Sequence, residues 1–553
     1  MSGAPAQATE LGLVRQAGRG IGRAAVLIGA ITIAARVIGF GRQLVFAHTV
    51  SHTCLGTAYL TANQVPNVIY DIVLGGALTS AVVPVLAGAA ARRAGPAADP
   101  GATTEASQTA SALLTWTVVL LVPASVLIAM TAGPLMSVLL SGAPHCGEAA
   151  TVAVSSRMLM VFAPQILLYG LAVVLYGILQ AHHRFTGPAL APVVSSVVVM
   201  AAYVAFMPLG NGYQNRLAAL PLPAELMLSV GTTAGVAALA LAVLGPALRL
   251  RLRLRPAFRF PPGVARRARG LAAVGIAALL AQDASVVVVM VLANGHGGRG
   301  ALVLYNYAWQ MFFLPYAVLA VPIATSAFPV LSARDGDHFD ETAAWSTRAV
   351  MLVSWLGAAL LAAAAVPAAR LFATGASAGQ LALTFAVFAP GLVGYGLSAQ
   401  LSRVLLAQGR GRVTAAALVA GWLLVIAVDL VAVSLVPARW VVPVLGAGNT
   451  IGMTVAGAGL LLAVRQIRGG AALRGLARSA GAGCTGAVAG AAVGAAASAV
   501  APASGFLPNA ALAVLAATCA ALVFGLIAWA LDRGELRALV IRLRTRMRNG
   551  TAL

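Results

Sequence analysis

The stretch AARVIGFGRQLVFA, residues 34–47, places two arginines and two glycines inside an otherwise apolar run. Around it, 60% of the 553 residues are hydrophobic and only 9% are charged, with a mean hydropathy of +0.92. Soluble domains carry roughly a quarter charged residues. We therefore expect an all-α polytopic membrane protein, with Arg36 and Arg42 inside its first membrane span.

Apolar runs long enough to cross a membrane recur along the whole chain. A spanning helix needs about 20 mostly apolar residues, and fourteen such runs are found. They cover residues 24–46, 58–90, 111–133, 151–180, 186–208, 225–248, 270–293, 301–333, 347–369, 379–406, 413–436, 440–464, 480–503 and 508–532. The opening segment is polar and basic, and the first run is too long for the core of a signal peptide, so no cleavable signal is expected.

The arginines predict the orientation of these spans. All 36 basic residues are arginine, and 29 of them lie in the two terminal segments or in loops that follow even-numbered spans. Cytoplasmic loops are enriched in arginine and lysine, so both termini are expected in the cytoplasm of a plasma-membrane protein. The same charges favour anionic membrane lipids as partners and make a nucleic-acid partner improbable.

Two segments of the chain resemble each other. TSAVVPVLAG at 79–88 ends the second predicted span and ATSAFPVLSA at 324–333 ends the eighth. Secondary transporters are commonly built from such repeats, with the transport site between them, so we expect two six-helix lobes followed by two further helices. The predicted divisions are a cytoplasmic N-terminal segment 1–23, an N-terminal lobe 24–248, a basic cytoplasmic linker 249–269, a C-terminal lobe 270–468, helices 13 and 14 within 469–532, and a basic cytoplasmic tail 533–553.

Several catalytic motifs are missing from the sequence. A chain without lysine has no Walker A loop, and neither His-Glu-x-x-His nor Cys-x-x-Cys is present. We therefore expect neither an enzyme nor an organic cofactor. Transport would draw on ions, the membrane potential or the substrate gradient.

Arg36 and Arg42 have two interpretations at this point. Charges inside a membrane are costly and usually face a cavity or a partner, so the pair could line an anion-binding cavity. Alternatively, Arg42 reaches the outer interface and Arg36 pairs with an acid such as Asp71 or Asp283.

Three residues are predicted hinges of the first two spans. Six residues along a straight helix turn a side chain by about 120°, so Arg36 and Arg42 share one face only if the helix bends. Gly39 and Gly41 lie between the two arginines, where a bend would bring both side chains to one face. Pro66 interrupts the second apolar run.

The opening stretch, together with ANQVPNVIYDIVLGGALTSAVVPVLA at 62–87 and LYNYAWQMFFLPYAVLAVPIATSAFPVLS at 304–332, resembles the MurJ/MviN family. These are lipid II flippases of the multidrug/oligosaccharidyl-lipid/polysaccharide (MOP) exporter superfamily. The resemblance implies two lobes around a central cationic cavity that binds an undecaprenyl-pyrophosphate-linked peptidoglycan precursor. It also implies translocation from the inner to the outer face of the membrane by alternating access. The lysine-free, Ala- and Arg-rich composition is typical of an actinobacterium.

The resemblance also suggests which residues meet the substrate. Arg36 and Arg42 match an arginine pair in helix 1 of the family, whereas Tyr70 and Gln310 stand where relatives often carry further arginines. The expected cavity is therefore less cationic than is usual for the family. This leaves open an exporter of another polyprenyl-linked saccharide, lipid or drug, or a non-transporting scaffold that binds cell-wall synthesis proteins. The predicted substrate-binding residues are Arg36, Arg42, Asn63, Gln64, Asn67 and Gln310.

A sodium site is a further implication of the resemblance. Asp283 and Asp429 match two acidic positions of such a site, with Asn449 and Thr450 as candidate oxygen donors. Hard cations favour oxygen ligands of this kind. Alternatively, Asp283 is the counter-charge of Arg36, and Asp429 is capped by neighbouring hydroxyl groups.

The four cysteines fall into two groups. Cys54 and Cys146 lie in predicted outer loops, where oxidation to a disulfide is possible. Cys484 and Cys519 lie within spans 13 and 14 and are predicted to be small packing residues.

Overall fold

A backbone inside lipid has to satisfy its own hydrogen bonds, which favours helices in a chain of this composition. The computed structural model describes Ile31 and residues 34–72, 100–142, 146–182, 184–250, 255–259, 264–333, 336–500 and 504–531. Every regular element among these residues is a helix. The predicted terminal segments 1–23 and 533–553 lie outside the described residues, as does the stretch 79–88 of the predicted repeat.

The N-terminal half, as far as it is described, contains α1 to α8. These helices are α1 (34–49), α2 (Cys54–Ile72), α3 (Pro100–Met130), α4 (Ala132–Leu139), α5 (Glu148–Phe162), α6 (Pro164–Ala181), α7 (Thr186–Gly210) and α8 (Leu222–Leu248).

The C-terminal half contains α9 to α17 and is followed by α18 and α19. These helices are α9 (Val264–His296), α10 (Ala301–Pro315), α11 (Val321–Ser332), α12 (Gly336–Ala363), α13 (Ala365–Phe372), α14 (Gly375–Phe388), α15 (Gly391–Ala407), α16 (Gly411–Val433), α17 (Ala438–Arg468), α18 (Leu476–Val500) and α19 (Phe506–Leu531). A π-helical turn, Tyr316–Ala320, connects α10 to α11.

Eleven of the described helical segments are long and apolar enough to cross a membrane, or twelve if the bent pair α14 and α15 is one span. These twelve coincide with predicted spans 3 to 14. Predicted spans 1 and 2 extend into residues that are not described, so the total of fourteen stays a prediction. The predicted linker 249–269 is shorter than expected, because α9 already begins at Val264.

Several spans are interrupted, and proline accounts for the positions of the breaks. Proline lacks the N–H that a helix interior needs and clashes with the preceding turn. Pro164 begins α6 directly after the break at Ala163. Pro315 precedes the π-helical turn, and α14 and α15 meet at a bend of 42° beside Pro390. In contrast, α2 continues through Pro66 without interruption.

The two halves meet mainly through α2 and α4 on one side and α9 and α10 on the other. Within the N-terminal half α7 packs on α8, and within the C-terminal half α17 packs on α15 and α16. The pair α18 and α19 packs on α12. Helices α18 and α19 approach each other closely at Gly490, where an added Cβ would lie 2.8 Å from the carbonyl oxygen of Ala520.

Helix α1 lies between the halves. The ring of Phe46 is 5.2 Å from that of Tyr203 in the N-terminal half and 6.4 Å from that of Tyr307 in the C-terminal half. Phe40 contacts Phe372 of α13 edge to face at 5.7 Å. Residues on this helix can therefore contact both halves.

Candidate functional site

Arg36 of α1 points toward the C-terminal half. Its side chain is exposed, and the guanidinium carbon lies 5.7 Å from the centre of the Phe313 ring of α10. A guanidinium at this distance is attracted by the face of an aromatic ring. Among the described residues Arg36 forms no ion pair, so the alternative of pairing with Asp71 or Asp283 is not observed.

Arg42 lies near residues of the N-terminal half instead. It is half-buried, and its charge acts on the hydroxyl groups of Tyr59, Tyr169 and Tyr203, which lie on α2, α6 and α7. It also forms no ion pair with a described carboxylate. The helix runs through Gly39 and Gly41 without interruption, so one continuous helix presents a guanidinium group to each half.

The predicted polar residues of α2 have three different surroundings. Asn67 accepts a hydrogen bond from the hydroxyl of Tyr169 at 3.2 Å. The side-chain oxygen of Asn63 is buried without a partner among the described residues. Gln64 lines a cavity between the halves. Gln310 is exposed on α10 and does not line this cavity.

That cavity has a volume of about 70 Å³ and is lined mainly by apolar side chains, with aromatic and amide groups among them. Gln64 comes from α2, Asn306 and Trp309 from α10, Trp422 from α16 and Asn449 from α17. The ring of Trp309 contacts those of Phe312 at 5.6 Å and Tyr395 at 6.2 Å. Amide groups beside aromatic rings are suited to bind a ligand that has both hydrophilic groups and apolar faces.

The residues predicted to bind sodium are brought only partly together. Asp429 is 0% exposed and both of its carboxylate oxygens lack a hydrogen-bond partner among the described residues, as does the side-chain oxygen of Asn449. Asp429 packs against Gly448, the residue before Asn449. The hydroxyl of Thr450 donates to the carbonyl of Val387 at 2.8 Å.

Asp283 lies on α9, which packs against α16. It is 4% exposed, and one of its carboxylate oxygens is buried without a partner among the described residues. No group of three or more His, Cys, Asp or Glu side chains suited to a metal occurs in the described part of the chain. The unpartnered oxygens of Asp429 and Asn449 are the feature here that fits a hard cation.

A disulfide marks one end of the bundle, which we call the disulfide end. Cys54 at the start of α2 is bonded to Cys146 just before α5, with their Cα atoms 5.4 Å apart. The neighbouring N–H of Leu55 donates to the carbonyl of Gln214 at 2.9 Å. The loop before α8 therefore lies at the same end. The opposite end, which α8 reaches at Leu248 after about 40 Å, carries the linker and is called the linker end.

At the disulfide end the two halves are in close contact. The side-chain amide of Asn294, on α9, donates to the hydroxyl of Thr61 and to the carbonyl of Leu139, both at 3.0 Å. An added Cβ at Gly295 would lie 3.1 Å from the carbonyl oxygen of Ser141, and one at Gly300, which has a φ of +74°, would overlap the carbonyl of His52. A side chain at Gly300 would therefore require the backbone at His52 to shift, and one at Gly295 would require a displacement of a few tenths of an ångström at Ser141.

Sequence reasoning did not single out Asn294 or the aromatic residues around Trp309. In the segment around Trp309, the sequence predicts a substrate contact only for the neighbouring Gln310. Asn294 is a polar residue at the end of an apolar run, beside a glycine-rich segment. That context alone does not distinguish a contact between halves from a loop residue.

Comparisons with known proteins agree with this architecture. The family model described as Lipid II flippase MurJ matches residues 46–528, a range that begins after Arg36 and Arg42. A probable lipid II flippase MurJ of Rhizobium tropici is 24% identical over 338 residues, which are 60% of this chain and 59% of that protein. A lipid II flippase MurJ of Burkholderia cenocepacia is 26% identical over 388 residues, 67% of this chain and 70% of the relative.

Solved structures share the fold. A lipid II flippase MurJ in an inward closed conformation superposes with a TM-score of 0.69 at 16% identity, covering 91% of this chain and 99% of that one. An inward-facing multidrug resistance MATE family transporter of the MOP superfamily gives a TM-score of 0.62 at 15% identity, covering 80% and 98%. Because the family model extends over most of the chain, this multi-pass membrane protein belongs to the MurJ family.

Proposed function

We propose that this protein translocates lipid II, an undecaprenyl-pyrophosphate-linked peptidoglycan precursor, across the plasma membrane. The observation that carries the proposal is the family match over residues 46–528. The position of α1 between the halves, with one guanidinium directed to each, supports it. The protein acts as a transporter in this proposal and not as an enzyme.

Arg36 and Arg42 are the proposed contacts to the pyrophosphate. Arginine stays charged and presents forked N–H donors that fit phosphate oxygens. Neither side chain is neutralised by a described carboxylate, so both are available to an anionic ligand. Gln64 and Asn67 would then contact the sugar and peptide portions from α2. Gln310, exposed on the same helix as Phe313, would extend the binding surface.

The contact at the disulfide end supports alternating access. Asn294, Gly295 and Gly300 hold the halves together there, so a substrate would reach α1 from the linker end. We place the linker end and both termini in the cytoplasm because arginines concentrate in the predicted loops on that side. Opening of the disulfide end would then release the lipid to the outer leaflet.

A sodium ion fits the buried oxygens in the C-terminal half. A buried carboxylate without a partner is costly unless it binds a cation or a proton. Asp429 and Asn449 would hold the ion, with Asp283 and Thr450 in neighbouring positions, and the bound charge would stabilise one arrangement of α16 and α17. Transport that is unchanged without a sodium gradient, or in Asp429→Asn, would contradict this coupling.

A second candidate is an exporter of another polyprenyl-linked or anionic lipid. Tyr70 packs against Tyr169, with ring centres 4.5 Å apart, where relatives often carry an arginine. A cleft with fewer cations would select less strictly for a pyrophosphate. The structural likeness to MATE transporters is compatible with this candidate.

Rescue of a flippase-depleted bacterium tests the proposal. The chain should restore growth and the exposure of lipid II at the outer surface, measured with an externally added enzyme that cleaves lipid II. Arg36→Ala with Arg42→Ala should abolish both effects, whereas Arg439→Ala, an exposed arginine outside the site, should not. Rescue that survives the double substitution would refute the role of the arginines. Growth without lipid II at the surface would refute the proposed substrate.

A further inference from the structure

The described part of the linker lies along a helix that faces the membrane. No residue of α3 from 113 to 130 is buried inside the protein, so this helix presents most of its length to lipid. Residues 255–259 have no regular secondary structure. They are hydrogen-bonded to the N-terminal part of the same helix.

Side chains of α3 satisfy the backbone of this linker segment. The N–H of Arg255 donates to the hydroxyl of Ser111 at 3.1 Å, and the N–H of Ala257 donates to the hydroxyl of Thr115 at 3.0 Å. Two residues of extended chain advance about 6.6 Å, and one helical turn of four residues advances about 6 Å. These two distances are similar enough for both hydrogen bonds to form.

An aromatic pair closes the same contact. The indole N–H of Trp116 donates to the carbonyl of Phe258 at 3.2 Å, and the two rings meet edge to face at 6.2 Å. Phe258 nevertheless remains 61% exposed. A tryptophan such as Trp116 is typical of the boundary between acyl chains and head groups, and Phe258 adds an exposed apolar ring beside it.

The charges of the segment are available to a ligand. Arg255 and Arg259 are exposed, and neither forms an ion pair with a carboxylate in the part of the chain that the structure describes. They stand three residues before and one residue after Phe258 on a backbone that is held to α3, so two cations lie close in sequence to an apolar anchor. Arginines near a membrane surface attract anionic head groups.

We infer that residues 255–259, held on Ser111, Thr115 and Trp116, form a binding site for an anionic phospholipid. The guanidinium groups of Arg255 and Arg259 bind the phosphate, and the rings of Phe258 and Trp116 contact the adjoining acyl chain. The site lies on α3 of the N-terminal half and includes none of the residues proposed to bind the transported lipid. It does not depend on the proposed transport activity.

Lipid binding to the purified full chain tests whether Arg255 and Arg259 bind the phosphate. The chain in detergent is titrated with phosphatidylglycerol or with phosphatidylcholine, and bound lipid is counted by native mass spectrometry. Arg255→Gln with Arg259→Gln should weaken phosphatidylglycerol binding by roughly 5-fold for each arginine removed. The control, Arg216→Gln with Arg439→Gln, makes the same charge change at two exposed arginines elsewhere and should bind as the wild type does. Equal loss in both variants, or no loss in the first, would overturn the site.

A second variant tests whether the segment has to be held in place. Ser111→Ala with Thr115→Val removes both hydroxyl acceptors and keeps every arginine. We expect phosphatidylglycerol binding to fall by roughly 5-fold or more, while thermal unfolding in phosphatidylcholine stays as in the wild type. Unchanged binding would mean that general charge attraction suffices, and the inference would be wrong. Displacement of the lipid by an equal concentration of inorganic phosphate would also contradict it.

Discussion

Replacing Asn294 with alanine is expected to loosen the contact between the halves at the disulfide end. Asn294 is 3% exposed and bridges α9 to both α2 and α4 through a single amide group. Its acceptors are the hydroxyl of Thr61 and the carbonyl of Leu139, and both belong to the N-terminal half. Alanine keeps the helix and removes only the bridge.

The size of the effect follows from these two hydrogen bonds. Each contributes about 1 kcal/mol net, so the closed arrangement should lose about 2 kcal/mol. The side-chain oxygen of Asn294 has no partner among the described residues, and removing this buried acceptor offsets part of the loss. A net change of about 1 to 2 kcal/mol lowers the ratio of closed to open molecules by roughly 5- to 30-fold.

Distances between spin labels across the disulfide end measure this ratio. Ser137→Cys in the N-terminal half and Arg439→Cys in the C-terminal half place labels at exposed positions. The free cysteines, Cys484 and Cys519, are first replaced by serine. Pulsed electron resonance on the reconstituted chain should then show a larger fraction of long distances in Asn294→Ala.

Asn215→Ala is the matched control. The Asn215 side chain accepts a hydrogen bond from the N–H of Cys54 at 3.1 Å, so its loss affects the same end but breaks no bond between the halves. Its distance distribution should equal that of the wild type. If Asn294→Ala also gives the wild-type distribution, Asn294 does not hold the halves together and the reasoning fails.

Three further predictions concern the N-terminal half. The bond between Cys54 and Cys146 closes a loop with a sequence separation of 92, so reducing it should lower the free energy of unfolding by up to about 4 kcal/mol, measured by chemical denaturation with and without reductant. Burial, and secondarily the charge of a nearby arginine, lowers the pKa of His52 below 6.5. The stability that neutral His52 contributes is therefore full above pH 6.5 and is lost as the pH falls through the lowered pKa. Thermal unfolding between pH 7.5 and pH 5 should detect this loss. Arg157→Ala leaves the carboxylate of Glu225, which is 1% exposed, without its partner. Because the Arg157 side chain is itself 47% exposed, the loss should be about 1 to 2 kcal/mol, read as a lower unfolding temperature.

Each of these predictions has its own control. Alkylation of both cysteines in intact cells, before any reductant is added, would contradict the disulfide. His52→Gln should remove its part of the pH dependence, and an unchanged profile would exclude this histidine. Glu225→Gln combined with Arg157→Ala should recover stability relative to Arg157→Ala alone, because no buried charge remains. No recovery would mean that the ion pair is not the cause.

The sequence alone predicts most of the spans and the family. Predicted spans 3 to 14 coincide with helical segments that are long and apolar enough to cross a membrane, because the hydropathy of a window of about 20 residues depends only on local composition. Boundaries were less accurate. Helix α9 begins at Val264 although arginines follow directly, since charged residues can continue a helix into the head-group region.

The arrangement of the site was only partly predictable. The sequence indicated that Arg36 and Arg42 lie about 120° apart on one helix, but both a bent helix facing one cavity and an ion-paired Arg36 were compatible with that spacing. In the structure the helix is uninterrupted at Gly39 and Gly41, and the two arginines turn toward different halves.

Membrane spanning, the positions of most spans and the resemblance to the MurJ family can therefore be read from the amino-acid sequence. All of these depend on local composition or on motifs within single segments. The bridge from Asn294 to the other half and the attachment of the linker to α3 become visible only in the folded protein, because these bonds join residues 155 and 144 positions apart. Contacts at such separations depend on how the helices pack, and no local pattern in this chain encodes that packing.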